Sequence, residues 1–245
     1  MKTDSTAAPK IENAYLDIST EKSIFYGEKR MKRDSTIRQA METRNFNFDR
    51  NSMEQFRTAI TYSIEKNHAT KTISYKDRIA RDQYWYDEDR TFNWKILPET
   101  VKIGEYETQK AETTFAGRKW FAWFTQDLPF IDGPYKFSGL PGLIVKVEDE
   151  KGDYSFDLKE TKKIAELPNF ESRFGNNIKV KRSEFLKQQE KFNKDPMSFF
   201  QNQGGGFAMR MGGNQNPQNE AERRKMMEER LKEEAKANNN PLEKN

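Results

Sequence analysis

The sequence predicts a mainly β protein with some helix (α+β): a strongly curved antiparallel sheet, an open or partial barrel, with one or two short helices and a disordered or helical C-terminal tail. Three observations carry this. From residue 14 onward, apolar and polar residues alternate over short runs, the period of strands whose two faces see different surroundings. The chain holds 18 Phe, 9 Tyr and 4 Trp, and most of those before residue 200 fall in such runs, where rings pair across neighbouring strands. Finally, 34% of residues are hydrophobic and 33% charged, with a mean hydropathy of −1.07. That average is wetter than a globular domain's and describes a core diluted by polar ends.

The elements follow in order. Residues 1–10 are polar and read as a flexible N-terminus; residues 11–195 hold nearly all the aromatic and β-branched content and form the β-rich domain. Ala14–Ile18 and Ser23–Tyr26 read as two short strands. Glu28–Thr43 lacks Gly and Pro and suits a helix, with Ile37, Ala40 and Met41 as a modest apolar stripe. Thr58–Glu65 and Thr70–Lys76 read as a hairpin turning at Asn67-His68. A second hairpin is expected from Ile79–Tyr86, a polar turn at Asp87–Arg90, and Thr91–Ile96 with Phe92, Trp94 and Ile96 alternating. Trp120–Thr125 reads as a central strand buried on both faces and ended by Pro129, because proline cannot donate to a ladder. In the last hairpin Leu143, Val145 and Val147 share one face, Glu148–Asp153 connect, and Tyr154, Phe156 and Leu158 return. Ser183 is the expected cap of a short helix over Glu184–Asn193 before Pro196. Residues 196–219 read as a Gly/Asn/Gln-rich linker and 220–245 as a charged tail, helical or disordered, whose Glu220–Lys236 helix has only a narrow stripe at Met227, Leu231 and Ala235.

Charge and composition exclude several functions. The 43 basic and 39 acidic residues leave a net charge of +4; the densest basic cluster, Lys29–Arg33, is short, so nucleic acid is not an expected partner. No stretch reaches the ~20 apolar residues of a membrane helix, and residues 1–10 lack the apolar core of a signal peptide. With no Cys and one His, a Cys nucleophile and a Cys- or His-rich zinc site are excluded, and a classical triad is not expected. His68, at a predicted hairpin tip, reads as a solvated turn residue. Asp87/Asp89 and Glu148/Asp149/Asp153 read as polar turns, although carboxylate pairs leave a hydrolase as the weakest of three classes. Asp149–Asp153 lacks the spacing of an EF-hand calcium loop, and Met209, Met211, Met226 and Met227 are a remote option for Cu(I). No catalytic residue, metal site or cofactor is expected.

The most informative stretch is Phe121–Ile144, FAWFTQDLPFIDGPYKFSGLPGLI. Pro141 and Gly142 suit the two central positions of a type II turn, where glycine takes positive φ at low cost. On this reading Gly139, Leu140, Pro141, Gly142, Leu143 and Ile144 are structural, a turn launching the next strand. The alternative makes Asp127–Ser138 an exposed binding rim: Asp132, Tyr135, Lys136 and Phe137 beside an aromatic floor holding Trp120 and Trp123, since loops on a rigid sheet often carry recognition.

The run from Tyr106–Phe115 through Gly117-Arg118-Lys119-Trp120 and FAWFTQDLP to Gly139–Ile144 resembles the GLPGLI family, Bacteroidetes proteins of unknown function that are usually secreted. The resemblance implies a periplasmic or outer-membrane-associated protein, with a secretion signal and an early strand upstream of the region present here; a genuine start at Met1 implies the cytoplasm instead. It supplies no catalytic residues. At fold level the expected half-barrel is also similar to periplasmic lipoprotein carriers. The function expected is therefore a non-enzymatic cell-envelope binding or accessory protein using an aromatic-rich β-domain, partnered by an outer-membrane or secretion-system protein. The alternatives are a periplasmic carrier of a lipid or apolar peptide, and the carboxylate hydrolase.

Overall fold

A computed structural model describes residues 1–45, 55–168, 175–196, 199, 225–226, 228–229, 231–233 and 240–244. In chain order its elements are β1 (Ala14–Ile18), β2 (Lys22–Gly27), α1 (Glu28–Thr43), β3 (Ser63–Asn67), β4 (Thr72–Ile79), β5 (Asp82–Asp87), β6 (Lys95–Ile103), β7 (Tyr106–Phe115), β8 (Arg118–Thr125), β9 (Leu143–Asp149), β10 (Ser155–Asp157), β11 (Asn177–Lys179) and α2 (Arg182–Lys194). The protein is mainly β, and its strands form open sheets with no closed barrel among the described residues. The chain divides into two compact units: Met1–Lys76, Asp87–Phe170 and Asn240–Asn245 in the first, Asp77–Tyr86 and Glu171–Asn239 in the second.

In the first unit, β1 to β4 form an antiparallel meander in sequence order. The Asn67 side chain accepts from the Thr70 amide and closes the turn into β4, as turn asparagines do. A second antiparallel sheet has the order β10-β9-β8-β7-β6. Ala116 and Gly117, both at positive φ (51° and 71°), make the two-residue turn from β7 to β8, whose primed geometry matches strand twist. At the edge, the β6–β7 register slips between Ile96 and Thr100, around Pro98, which has no N–H to give the ladder. The core of the unit is aromatic. Phe25 of β2 meets Phe156 of β10 edge-on at 5.9 Å, and Tyr62 stacks on Tyr75 and meets Tyr135.

The second unit contains β5 paired in parallel with β11, Gln83 opposite Asn177 and Trp85 opposite Lys179, the one departure from the antiparallel expectation among these pairings. Phe185 of α2 is buried and lies 5.3 Å from the Tyr86 ring. The helix opens at Lys181, whose amide donates to the Glu184 carboxylate, so Ser183 lies inside the helix and does not cap it.

Two further expectations are corrected. Thr91–Ile96 is not a continuous strand returning from Ile79–Tyr86. That first run is broken at Ala80 (φ 56°), and Phe92 and Trp94 turn into the core of the first unit. Phe92 packs 4.3 Å from Phe115, and the Trp94 indole donates to the Ser138 carbonyl. Burial of two large rings overrides the local alternation. The GLPGLI turn also differs from type II: the Gly142 amide donates to the Leu140 carbonyl at 2.8 Å, a γ-turn about Pro141, and Gly142 sits at φ 148°. A side chain there would place Cβ 2.0 Å from the Thr125 carbonyl oxygen. Beyond the turn, the register of β8 on β9 slips between Trp123 and Phe124. Ile144 is therefore buried together with Leu143 and Val145.

Gly142→Ala is expected to cost about 3 kcal/mol or more, because the backbone at Thr125 must move and positive φ is strained. Urea unfolding of the variant beside the wild type checks this, and a midpoint unchanged from wild type would refute the packing argument.

Candidate functional site

Within the loop from Asp127 to Ser138 the second part folds inward, so Asp132, Tyr135, Lys136 and Phe137 are all buried, while Asp127 and Pro129–Ile131 stay exposed. The cause is an ammonium group supplied by β3. Lys66 Nζ donates to Asp132 Oδ1 (2.5 Å), the Gly133 carbonyl (2.5 Å) and the Phe137 carbonyl (3.0 Å). Three acceptors meet three protons, which a buried ammonium requires. Burial pulls the Lys66 ammonium below its ordinary range, and Asp132 opposes that shift. Burial would raise the Asp132 carboxyl, but Lys66, Ser23 and the Gly133 amide together hold it below the usual carboxylate value. The Ile144 amide donates to the Asp132 carbonyl and ties the loop to β9.

Fixed this way, the loop fills the core. Phe137 is fully buried, 4.8 Å from the ring of Trp120 and 5.5 Å from Phe92. Leu140 is buried with it. Trp120, Ala122 and Phe124 face this interior. Phe121 and Trp123, on the opposite face of β8, are only half-buried. Lysines cover them: Lys110 and Lys119 lie over Phe121, and Lys146 is 5.0 Å from the Trp123 ring. The strand is therefore buried on one face, with lysine stems over the other. Trp120 and Trp123 do not come together.

The same loop carries Lys136 into a charged slot that ends on the chain's own residues 240–244. Lys136 Nζ donates to Glu88 Oε2 and Glu243 Oε1, both at 2.6 Å. Glu88 also accepts from Arg90 Nε at 2.7 Å, and Arg90 Nη2 reaches Glu243 at 2.7 Å. The Tyr135 hydroxyl donates to Glu243 as well, from a residue at φ 54°, rare for a bulky side chain. Burial would raise the Glu88 carboxyl, but Arg90 and Lys136 bring it to about 2. Glu243 is likewise lowered, by Lys136, Tyr135 and Arg90 acting against burial.

Beside it, Arg118 reads the rest of the segment. Its Nη1 donates to Asp149 (2.7 Å) and Asp153 (3.3 Å), Nη2 to Asn240 Oδ1 (2.6 Å) and the Pro241 carbonyl (2.8 Å), and Nε to the Leu242 carbonyl (3.0 Å). All five guanidinium protons are used. Asn240 is saturated too. Its side-chain amide donates to the Lys2 carbonyl, its backbone amide to the Thr3 carbonyl, and its carbonyl accepts from the Tyr154 hydroxyl at 2.6 Å. Burial pushes the Tyr154 phenol up to about 12. Lys244 donates its amide to the Ala116 carbonyl, and a Cβ on Gly117 would stand 2.8 Å from the Lys244 Cβ.

His68 lines an open cleft of about 510 Å³ with Thr20, Glu21, Asn67 and Ala69. Its Nδ1 faces the Thr20 carbonyl at 3.3 Å and its Nε2 faces Asp132 Oδ2 at 3.5 Å. Asp149 and Asp153 are engaged by Arg118. Glu88, expected in a polar turn, is an interior ion-pair partner. Among the described residues no three His, Cys, Asp or Glu side chains gather as metal ligands; Met209, Met211 and Met227 lie outside the described residues. Asp132, Tyr135, Lys136 and Phe137 stand out in the sequence as an exposed rim and are buried instead, while Lys66, Glu88, Arg90, Arg118, Asn240 and Glu243 give no such local signal. A lone Glu or Arg in a run that is one-third charged carries no local signal of burial.

Comparison with known proteins places the fold more firmly than the chemistry. Residues 113–146 match a family described as "Protein of unknown function (Porph_ging)", a stretch covering β8, the inward loop and the start of β9. No curated protein matches the chain. Two crystal structures of PNGF-II, in space groups P21 and C2, share the fold with TM-scores of 0.55 and 0.52 at 18% and 17% sequence identity. They align with 74% and 73% of this chain, which spans only 30% of PNGF-II's length in each. At that identity the likeness concerns architecture alone.

Acid should loosen the slot. The folded-state value of Glu88 lies below its ordinary 4.5, so its contribution is complete above that pH and is lost as pH falls toward about 2. Glu88→Gln, leaving Lys136 and Arg90 short of a carboxylate, is expected to cost about 3 kcal/mol at neutral pH and to flatten the decline of stability between pH 4.5 and 2. Denaturation measured across that range checks both; parallel pH profiles for variant and wild type would count against the assignment.

Proposed function

We propose that the protein is a non-enzymatic binding module of the cell envelope, a GLPGLI-type accessory protein working outside the cytoplasm. One observation carries the binding half of this reading: the first unit holds a five-residue peptide segment through named side-chain contacts, with Asn240 saturated and Glu243 held by two cations and a phenol. A domain that recognises a short segment in this detail already has the chemistry of a peptide-recognition site. The match of this fold to 30% of a longer chain suits a module that works beside other parts. The envelope location rests on the family resemblance of Gly139–Ile144 and the run before it.

The competing readings are less well supported. A carrier of lipid or apolar peptide needs an open interior, and the core is filled by Trp120, Phe124, Phe137 and Leu140. A carboxylate hydrolase needs two acids facing a substrate cleft, whereas Glu88, Asp149 and Asp153 are engaged by cations.

The test is cross-linking and affinity purification from the native envelope, with the gene expressed from its own upstream region and cell fractions separated. An envelope protein enriched with the tagged chain in the periplasmic or outer-membrane fraction is expected. Recovery solely from the cytosol would refute the location. Recovery from the envelope with no protein partner would refute the binding role.

A further inference from the structure

We infer that the slot between Arg118 and Lys136 is an exchangeable peptide site, occupied in this structure by the chain's own residues 240–244, and that it accepts a partner protein's segment of the pattern Asn-x-x-Glu. The inference rests on the binding-module reading and names its site and the chemistry of its ligand.

Four features separate a held ligand from a structural element. First, the segment adds no strand: neither sheet includes residues 240–244, and its backbone amides at Asn240 and Lys244 donate to the Thr3 and Ala116 carbonyls. Second, it buries little apolar surface, since Pro241 is exposed and Leu242 half-buried; its hold is polar, and polar contacts exchange with water at modest net cost. Third, the slot residues have partners outside the segment. Arg118 retains Asp149 and Asp153, while Lys136 and Arg90 retain Glu88. Fourth, the segment is not continuous with the rest of its unit: the preceding stretch of the first unit ends at Phe170, and the residues between belong to the second.

The vacated slot defines its ligand. Lys136 and Arg90 each pair with Glu88 and with Glu243, so two cations converge on the position that Glu243 fills. At 2.6–2.7 Å from both cations, that position takes a carboxylate in preference to an amide. Arg118 Nη2 and the Lys2 carbonyl, one donor and one acceptor, read the two ends of a primary amide three residues earlier, which selects Asn over Asp or Leu. Between them Arg118 contacts only the carbonyls of Pro241 and Leu242, leaving those side chains unspecified. Gly117 leaves the space through which the ligand backbone passes beyond the glutamate.

The experiment uses the full chain with Asn240→Ala and Glu243→Ala, which weakens its own segment, and a fluorescent synthetic peptide of sequence Asn-Pro-Leu-Glu-Lys-Asn. Saturable anisotropy is expected with the double variant. Apparent affinity for the wild type should be at least about tenfold weaker, because its own segment competes. A peptide with Gln in place of Glu should lose about tenfold. A folded double variant that ignores the peptide, or equal affinity for both chains, overturns the inference. If the double variant lacks a cooperative melting transition, the Glu243→Gln chain replaces it; the same failure there makes the segment part of the fold and also overturns the proposal. A wild-type chain that becomes dimeric with rising concentration, and returns to monomer with excess peptide, would assign the site to a second copy instead of a different partner. An envelope partner recovered equally with wild type and with Lys136→Met would leave the binding module standing and remove this slot from it.

Discussion

One buried ammonium group underlies the arrangement of the first unit. Lys66 reaches from β3 to three acceptors on the loop between β8 and β9, and that grip turns the loop inward. An isolated ammonium in such a place would be prohibitively costly; three hydrogen bonds and the Asp132 carboxylate offset the loss of water. Its consequences spread outward. With Asp132 to Phe137 fixed, the Phe137 ring fills the space over Trp120, and Lys136 and Tyr135 are delivered to the charged slot. A chain of contacts thus runs from a strand of one sheet to the residues that hold Glu243.

Much of the first unit was legible in the sequence, because period-2 alternation reports which residues face an interior. The early strands, the helix over Glu28–Thr43 and the hairpin of β9 with β10 follow from that pattern and from turn chemistry. Where it failed, a competing force was stronger. Phe92 and Trp94 alternate as strand residues do, yet bury their rings against Phe115 and Phe137. Pro141-Gly142 has the composition of a type II turn, but the nearness of the Thr125 carbonyl sets the φ of Gly142. The loop at Asp127–Ser138 was conspicuous for its residue types, but no local pattern records that a lysine more than sixty residues earlier draws it inside. Glu88, Arg118 and Glu243 were invisible for the same reason: a buried charge is defined by its partner, and these partners are distant in sequence.

The likeness to PNGF-II is one of fold. Two chains with about 18% identity can share strand order because sheet packing tolerates substitution that preserves volume and alternation. A slot built from an Arg with five acceptors and a Lys between two carboxylates does not tolerate it in that way. The architecture is therefore the general part of this molecule, and the polar residues around Arg118 and Lys136 are the particular part.

The discontinuity of the first unit has a consequence for its biosynthesis. Its strands are all present in the nascent chain by residue 157, while the residues that fill the slot begin at Asn240. At about 5–20 residues per second, the ribosome needs several seconds or more to add the roughly eighty residues between. Sheet formation is faster than that. Every newly made molecule thus passes through a period in which the sheets can be assembled and the slot is vacant. Whatever segment is nearby at that moment, on the same chain or another, has the first opportunity to enter it.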